Sequence, residues 1–125
     1  MTANRNNAVV WTELPATDFA RAVGFYETVL GISLRQEDMG PMKLGVFPYG
    51  EGGVSGAVIF GPGYRPSVDG GCIYLNADGR LDAAMARVEA AGGKIAGPII
   101  DLPPGMGRFV HILDTEGNRL GLHEA

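Results

Sequence analysis

The chain has one cysteine, one tryptophan, two histidines, ten basic residues and no long apolar run, and each scarcity excludes something. A lone Cys72 cannot close an internal disulfide, which fits a reducing compartment. Ten Lys and Arg against fourteen Asp and Glu give a net charge of -4, with the basic residues scattered. Such a chain has little to neutralise phosphates, so nucleic acid is not an expected partner. No stretch approaches the ~18 apolar residues of a membrane span, and Met1 to Asn7 is polar rather than signal-like. The expectation is a soluble, cytoplasmic protein with no membrane partner. His111 and His123 have no neighbours at metal-ligand spacing.

What is abundant is glycine and proline, 20 and 8 residues, alongside a hydrophobic content of 46%. The first points to many tight turns between short strands, and the second suffices for one buried core. Asn7 to Leu14 is rich in β-formers, and Pro15 to Asp18 supplies a break with a helix N-cap at its end. Phe19, Ala22, Val23, Tyr26, Val29 and Leu30 then recur at helical spacing before a stop at Gly31. Ile32 to Glu37, Met42 to Pro48 and Gly53 to Phe60 are short apolar stretches parted by Gly and Pro, as in an antiparallel meander.

The breaker-rich stretch from Gly61 to Gly70 is a linker, after which the order restarts. Gly71 to Asn76 reads as a strand, and Leu81, Ala84, Met85, Val88 and Ala91 form a helical stripe ended by Gly92 and Gly93. Three further strands are expected at Lys94 to Leu102, Arg108 to Leu113 and Asn118 to Glu124. The chain is therefore α+β, one domain over 1-125 made of two βαβββ modules, 8-60 and 71-124, joined by the 61-70 linker. Trp11 and Glu13 match Cys72 and Tyr74 at the start of the modules, and Gly52 to Gly56 separately matches Gly117 to Gly121 at their ends, a repeat in local spacing as well as order.

Asp18, Phe25-Tyr26, Leu30-Gly31 and the turn Asp114-Thr-Glu-Gly-Asn118 resemble the vicinal-oxygen-chelate superfamily of glyoxalases, bleomycin-resistance proteins and extradiol dioxygenases. Thr115 stands where that family's turn usually carries proline. Val9 to Leu14, Gly61 to Pro66 and Gly117 to Glu124 more narrowly resemble a subgroup of glyoxalase-related predicted proteins. The resemblance implies a curved mixed sheet around a cavity, often in a homodimer. It also implies metal ligands on the first and fourth strand of each module. At those positions this chain carries Trp11, Gly56, Cys72 and Gly121, so no metal and no other cofactor is expected.

Period-two alternation sets Val9, Trp11 and Glu13 on one strand face and Cys72, Tyr74 and Asn76 on one face of the repeat. An aromatic wall with a few polar anchors suits a small-molecule pocket, although Trp11 and Tyr74 also serve as plain core filling. Trp11, Glu13, Cys72, Tyr74, Phe109 and His123 are the candidate ligand-binding residues. Glu13 points inward or outward with equal expectation, Cys72 reads first as a small buried hydrophobe, and His111 faces either way. Pro103 to Gly107 precedes a strand, not a helix, so it is a candidate lid and not a phosphate loop. The expected function is metal-free binding of a small, partly apolar molecule. The alternative is a metal-independent lyase or isomerase with Glu13 as base and Tyr74 as acid.

Overall fold

A computed structural model of the chain describes residues 9 and 11–125. The expected start of the first strand, Asn7 to Val10, lies largely outside the described residues. Those described form β1 (Trp11–Pro15), α1 (Phe19–Leu30), β2 (Arg35–Met39), β3 (Met42–Val46) and β4 (Ser55–Phe60). Then follow β5 (Tyr74–Asn76), α2 (Leu81–Val88), β6 (Lys94–Ile95), β7 (Ile100–Asp101), β8 (Arg108–Leu113) and β9 (Arg119–Glu124). The α+β class and the repeated module order are as expected. The two modules form separate sheets, ordered β1-β4-β3-β2 and β5-β9-β8-β6, with β7 also on β8. In each, the first strand runs parallel to the last and the other pairs are antiparallel.

The first helix forms where its residues dictate. The Asp18 side chain accepts a hydrogen bond from the Arg21 amide, and Gly31 closes the helix at φ 66, a left-handed conformation that disfavours any Cβ. Phe25, Tyr26 and Val29 face a core shared with α2 and the helix side of both sheets, including Leu14, Val58, Ile112 and Leu122. Arg87 of α2 donates from two guanidinium nitrogens to the Val29 carbonyl, occupying an end carbonyl that the helix itself leaves unpaired.

Four expectations shift, the simplest being that the strand expected at Gly71 to Asn76 begins only at Tyr74 and leaves Cys72 before it. The strand expected at Ile32 to Glu37 lies at Arg35–Met39, an edge strand exposed along its whole length, where no buried face fixes the alternation. The single strand expected over Lys94 to Leu102 is broken into β6 and β7, because Gly97 and Pro98 interrupt it and Pro98 has no amide hydrogen to pair. The helix side of β4 carries Gly56, paired with Thr12, where a cavity-facing position was expected. Its turn glycine, Gly52, lies three residues before Ser55, whereas Gly117 lies two before Arg119. One extra residue reverses which side the next strand presents, so Gly56 and Gly121 face opposite ways relative to the helices.

The joint between modules is the turn from Asp114 to Asn118. Asp114 is buried and accepts from the Tyr26 hydroxyl at 2.6 Å, the Asn118 side-chain amide at 2.9 Å, and the Glu116 and Asn118 backbone amides. Asn118 in turn donates to the Pro15 carbonyl and accepts from the Ser67 amide of the linker. No buried side-chain nitrogen or oxygen among the described residues lacks a partner.

Candidate functional site

On the face turned away from the helices the two sheets differ. In the first, Leu44, Val46, Ala57 and Ile59 form a small buried cluster packed against Met42 and the linker's Tyr64. Trp11 and Glu13 sit on that face at the β1 edge, both exposed, with the indole N–H donating to the Glu13 carboxylate at 3.3 Å. Glu13 is exposed, the ordinary state of a carboxylate in a strand.

The open face of the second sheet is arranged around a glycine. Tyr74 of β5, Gly121 of β9 and His111 of β8 are direct register partners across three strands. With no side chain on Gly121, the Tyr74 ring lies over its α-carbon and crosses the central strand. The phenol thereby reaches His111 Nε2 at 2.8 Å. Phe109 stands edge-on to Tyr74 with ring centres 5.2 Å apart, and the His111 ring is tilted against both. Desolvation holds the Tyr74 phenol above its ordinary pKa, the neighbouring Cys72 thiol pushes in the same direction, and the Arg119 charge opposes them.

Gly121 has an ordinary negative φ, so its identity is set by space alone: a Cβ there would fall inside the Tyr74 ring. Gly121→Ala is therefore expected to displace Tyr74 and break its bond to His111. The ring is half exposed and free to swing outward, so stability should fall by less than about 1.5 kcal/mol. Tyrosine and histidine ring resonances read the displacement, and urea unfolding reads the stability. Retention of wild-type ring shifts would contradict the described geometry.

Asn76 and His123 continue the same face. His123 donates from Nε2 to the Met106 carbonyl at 2.7 Å, tying the loop at Pro103 to Gly107 to the rim of the sheet. The candidate lid is closed on itself by hydrogen bonds from the Leu102 amide to Gly107 and from the Met106 amide to Pro103. Cys72 is half buried and lines a groove of about 680 Å³ between the modules, with Thr12, Leu30, Phe47 and Ile73 among its walls. Tyr74 belongs to both the groove and the open face.

Of the residues expected from sequence, Tyr74, Phe109 and His123 come together on one surface, with Cys72 beside them. Trp11 and Glu13 stand on the other sheet. Each member of the Glu13–Tyr74 acid-base pair has a different partner, Glu13 bonding Trp11 and Tyr74 bonding His111. His111 is the member that sequence reasoning missed; the only signal for it was a glycine between two inward positions of neighbouring strands.

The donor set does not suit the metal that the resemblance implies. Among the described residues no three His, Cys, Asp or Glu side chains converge as ligands would. Nor, among them, is any helix long and apolar enough to cross a membrane.

The fold is shared with solved structures. It is similar to a glyoxalase/bleomycin resistance protein from Albidiferax ferrireducens T118, at TM-score 0.68 and 14% identity, covering 95% of this chain and 99% of that one. A genomically encoded fosfomycin resistance protein from Listeria monocytogenes gives TM-score 0.65 and 15% identity over 95% of this chain and 93% of that one. Mutant glyoxalase I from Zea mays gives TM-score 0.67 and 22% identity over 91% of this chain, which spans only 45% of the maize one. No curated protein matches the sequence. Residues 8–122 match the family profile described as Glyoxalase/Bleomycin resistance protein/Dioxygenase superfamily, and this chain, with its paired modules, belongs to that superfamily.

Proposed function

We propose that this protein binds a small, partly apolar molecule against the open face of its second sheet, without a metal ion. The observation that carries this reading is the half-exposed aromatic cluster of Tyr74, Phe109 and His111, held in place over a bare glycine. Aromatic walls with a few fixed polar groups are what small-molecule sites are built from, and no catalytic group is needed for capture. Cys72, His123 and the adjoining groove extend the surface available to a ligand, while Trp11 and Glu13 lie across the module boundary.

The protein is taken to act in the cytoplasm as a homodimer. β1 and β5 each end a sheet, and an edge strand with unpaired amides is a ready surface for a second copy.

A second reading, a metal-independent lyase or isomerase, is favoured by the phenol–imidazole contact, since a hydrogen-bonded Tyr and His form a proton-transfer pair. In one chain that pair replaces Glu13 as the base.

A ligand at about 100 times its Kd stabilises the native state by about 2.7 kcal/mol, several degrees in Tm for a chain of this size. Thermal denaturation in the presence of Zn²⁺, Ni²⁺ or Mn²⁺ is expected to leave Tm unchanged, whereas members of a library of small aromatic and aliphatic metabolites raise it. A rise of several degrees with any one metal ion overturns the metal-free reading. A library that leaves Tm untouched throughout overturns binding.

A further inference from the structure

The second sheet's open face has a charge pattern unlike the rest of the molecule. The chain as a whole is acidic, at net charge -4. On this face, however, the strand residues that carry or can carry charge are Arg119, Lys94, His111 and His123. The carboxylates on the same strands, Asp101 and Glu124, occupy alternate positions and point to the other side, where Glu124 is bonded to Arg108 and to the Leu81 amide. Arg119 donates through Nε to the Val68 carbonyl, which fixes the guanidinium and leaves its terminal nitrogens for a partner.

The Tyr74–His111 contact has a consequence that does not depend on where its proton lies. With the proton on Nε2, the imidazole donates to the phenol oxygen and the Tyr74 O–H is released to donate outward. With the phenol donating to Nε2, the ring proton sits on Nδ1 and is itself a donor. Either way the pair retains a hydrogen to offer an acceptor. Beside it, the ring edges and faces of Tyr74 and Phe109, 5.2 Å apart, present a surface that suits a flat molecule.

Resting on the binding reading above, we propose that the occupant of this face is a small planar organic anion whose charge is carried on oxygen, with the aromatic carboxylates as its nearest simple representatives. Its ring packs on Tyr74 and Phe109, its oxygen accepts from the Tyr74–His111 pair, and Arg119 supplies the opposing charge. A neutral molecule of the same shape keeps the packing and loses the charge-assisted hydrogen bonds, which are the stronger ones. A cation meets the like charge of Arg119.

Salicylate and its uncharged counterpart salicylamide separate these terms. In NMR titrations of the ¹⁵N-labelled protein, salicylate is expected to shift the resonances of Tyr74, His111 and Gly121, and to bind at least tenfold more tightly than salicylamide. Added salt should weaken salicylate and leave salicylamide alone, since the site is open to solvent. Arg119→Gln should weaken salicylate about tenfold without altering the salicylamide affinity. His111→Phe should weaken both; if that variant fails to fold, Arg119→Gln on its part-exposed side chain decides the matter. Equal affinities for the two compounds at these residues overturn the anion assignment and leave small-molecule binding intact. Shifts confined to other residues, or none with either compound, overturn the placement, and the thermal screen then judges the wider reading by itself.

Discussion

Asp114→Ala is expected to destabilise the protein by about 3–5 kcal/mol, the loss that follows when a buried charged group is removed from a fully bonded set. The substitution strands the Tyr26 hydroxyl, which is buried among Phe25, Phe47 and the helix core, and frees the Asn118 side chain that reaches Pro15. Burial first, and the Asp114 charge second, hold the Tyr26 phenol well above its ordinary pKa, so it stays a neutral donor at every working pH. Because domains of this size are stable by only about 5–15 kcal/mol, the variant should sit near the edge of folding. Tyr26→Phe removes one donor and leaves the carboxylate its three other hydrogen bonds, so about 1–2 kcal/mol is expected there. Urea unfolding at neutral pH distinguishes the two. An Asp114→Ala loss below about 1 kcal/mol would mean that the turn is not the joint between modules.

That joint explains what could and could not be read from sequence. The turn itself was legible as Asp114 to Asn118, and so were its family resemblance and the helix bounded by Asp18 and Gly31. Their legibility has a local cause: caps and tight turns are decided by residues a few positions apart. The partners of the turn were not legible, since Tyr26 is 88 positions from Asp114 and Thr17 is 99 from Glu116. Composition and periodicity carry no information about such pairings.

The same distinction governs the site. Tyr74 and Phe109 stood out because an aromatic residue in a strand attracts notice by itself. His111 did not, because its role comes from register: three strands must align Tyr74, Gly121 and His111 before the phenol can cross to the imidazole. Glu13 went the other way, paired in sequence with Tyr74 by the repeat and placed by the fold on a different sheet beside Trp11. The one-residue difference between Gly52 to Ser55 and Gly117 to Arg119 shows how a glycine match preserves spacing while reversing a face.

Glu116 provides the second large effect, and it depends on pH. Its side chain is wholly shielded from solvent and receives hydrogen bonds from the amides of Thr17 and Asp18, the hydroxyls of Thr17 and Thr115, and the Arg21 guanidinium. Desolvation pushes its pKa up, yet the hydrogen bonds from Asp18, Arg21, Thr17 and Thr115 prevail and bring it from 4.5 down to about 2. A carboxyl that ionises more readily when folded stabilises the fold above its unfolded pKa, and the benefit vanishes as pH falls through the folded one. For a shift of this size the stake is about 3 kcal/mol. Glu116→Gln should therefore cost about that much at neutral pH, with the difference from wild type shrinking below about pH 4.5 and closing near pH 2. Arg21 is half exposed, so the ion pair alone accounts for no more than about 1 kcal/mol, and Arg21→Gln should cost correspondingly less. Urea midpoints across that range test the point: a Glu116→Gln deficit that stays constant down to pH 2 would place its origin in lost packing, and the charge on Glu116 would then not be what secures the start of α1.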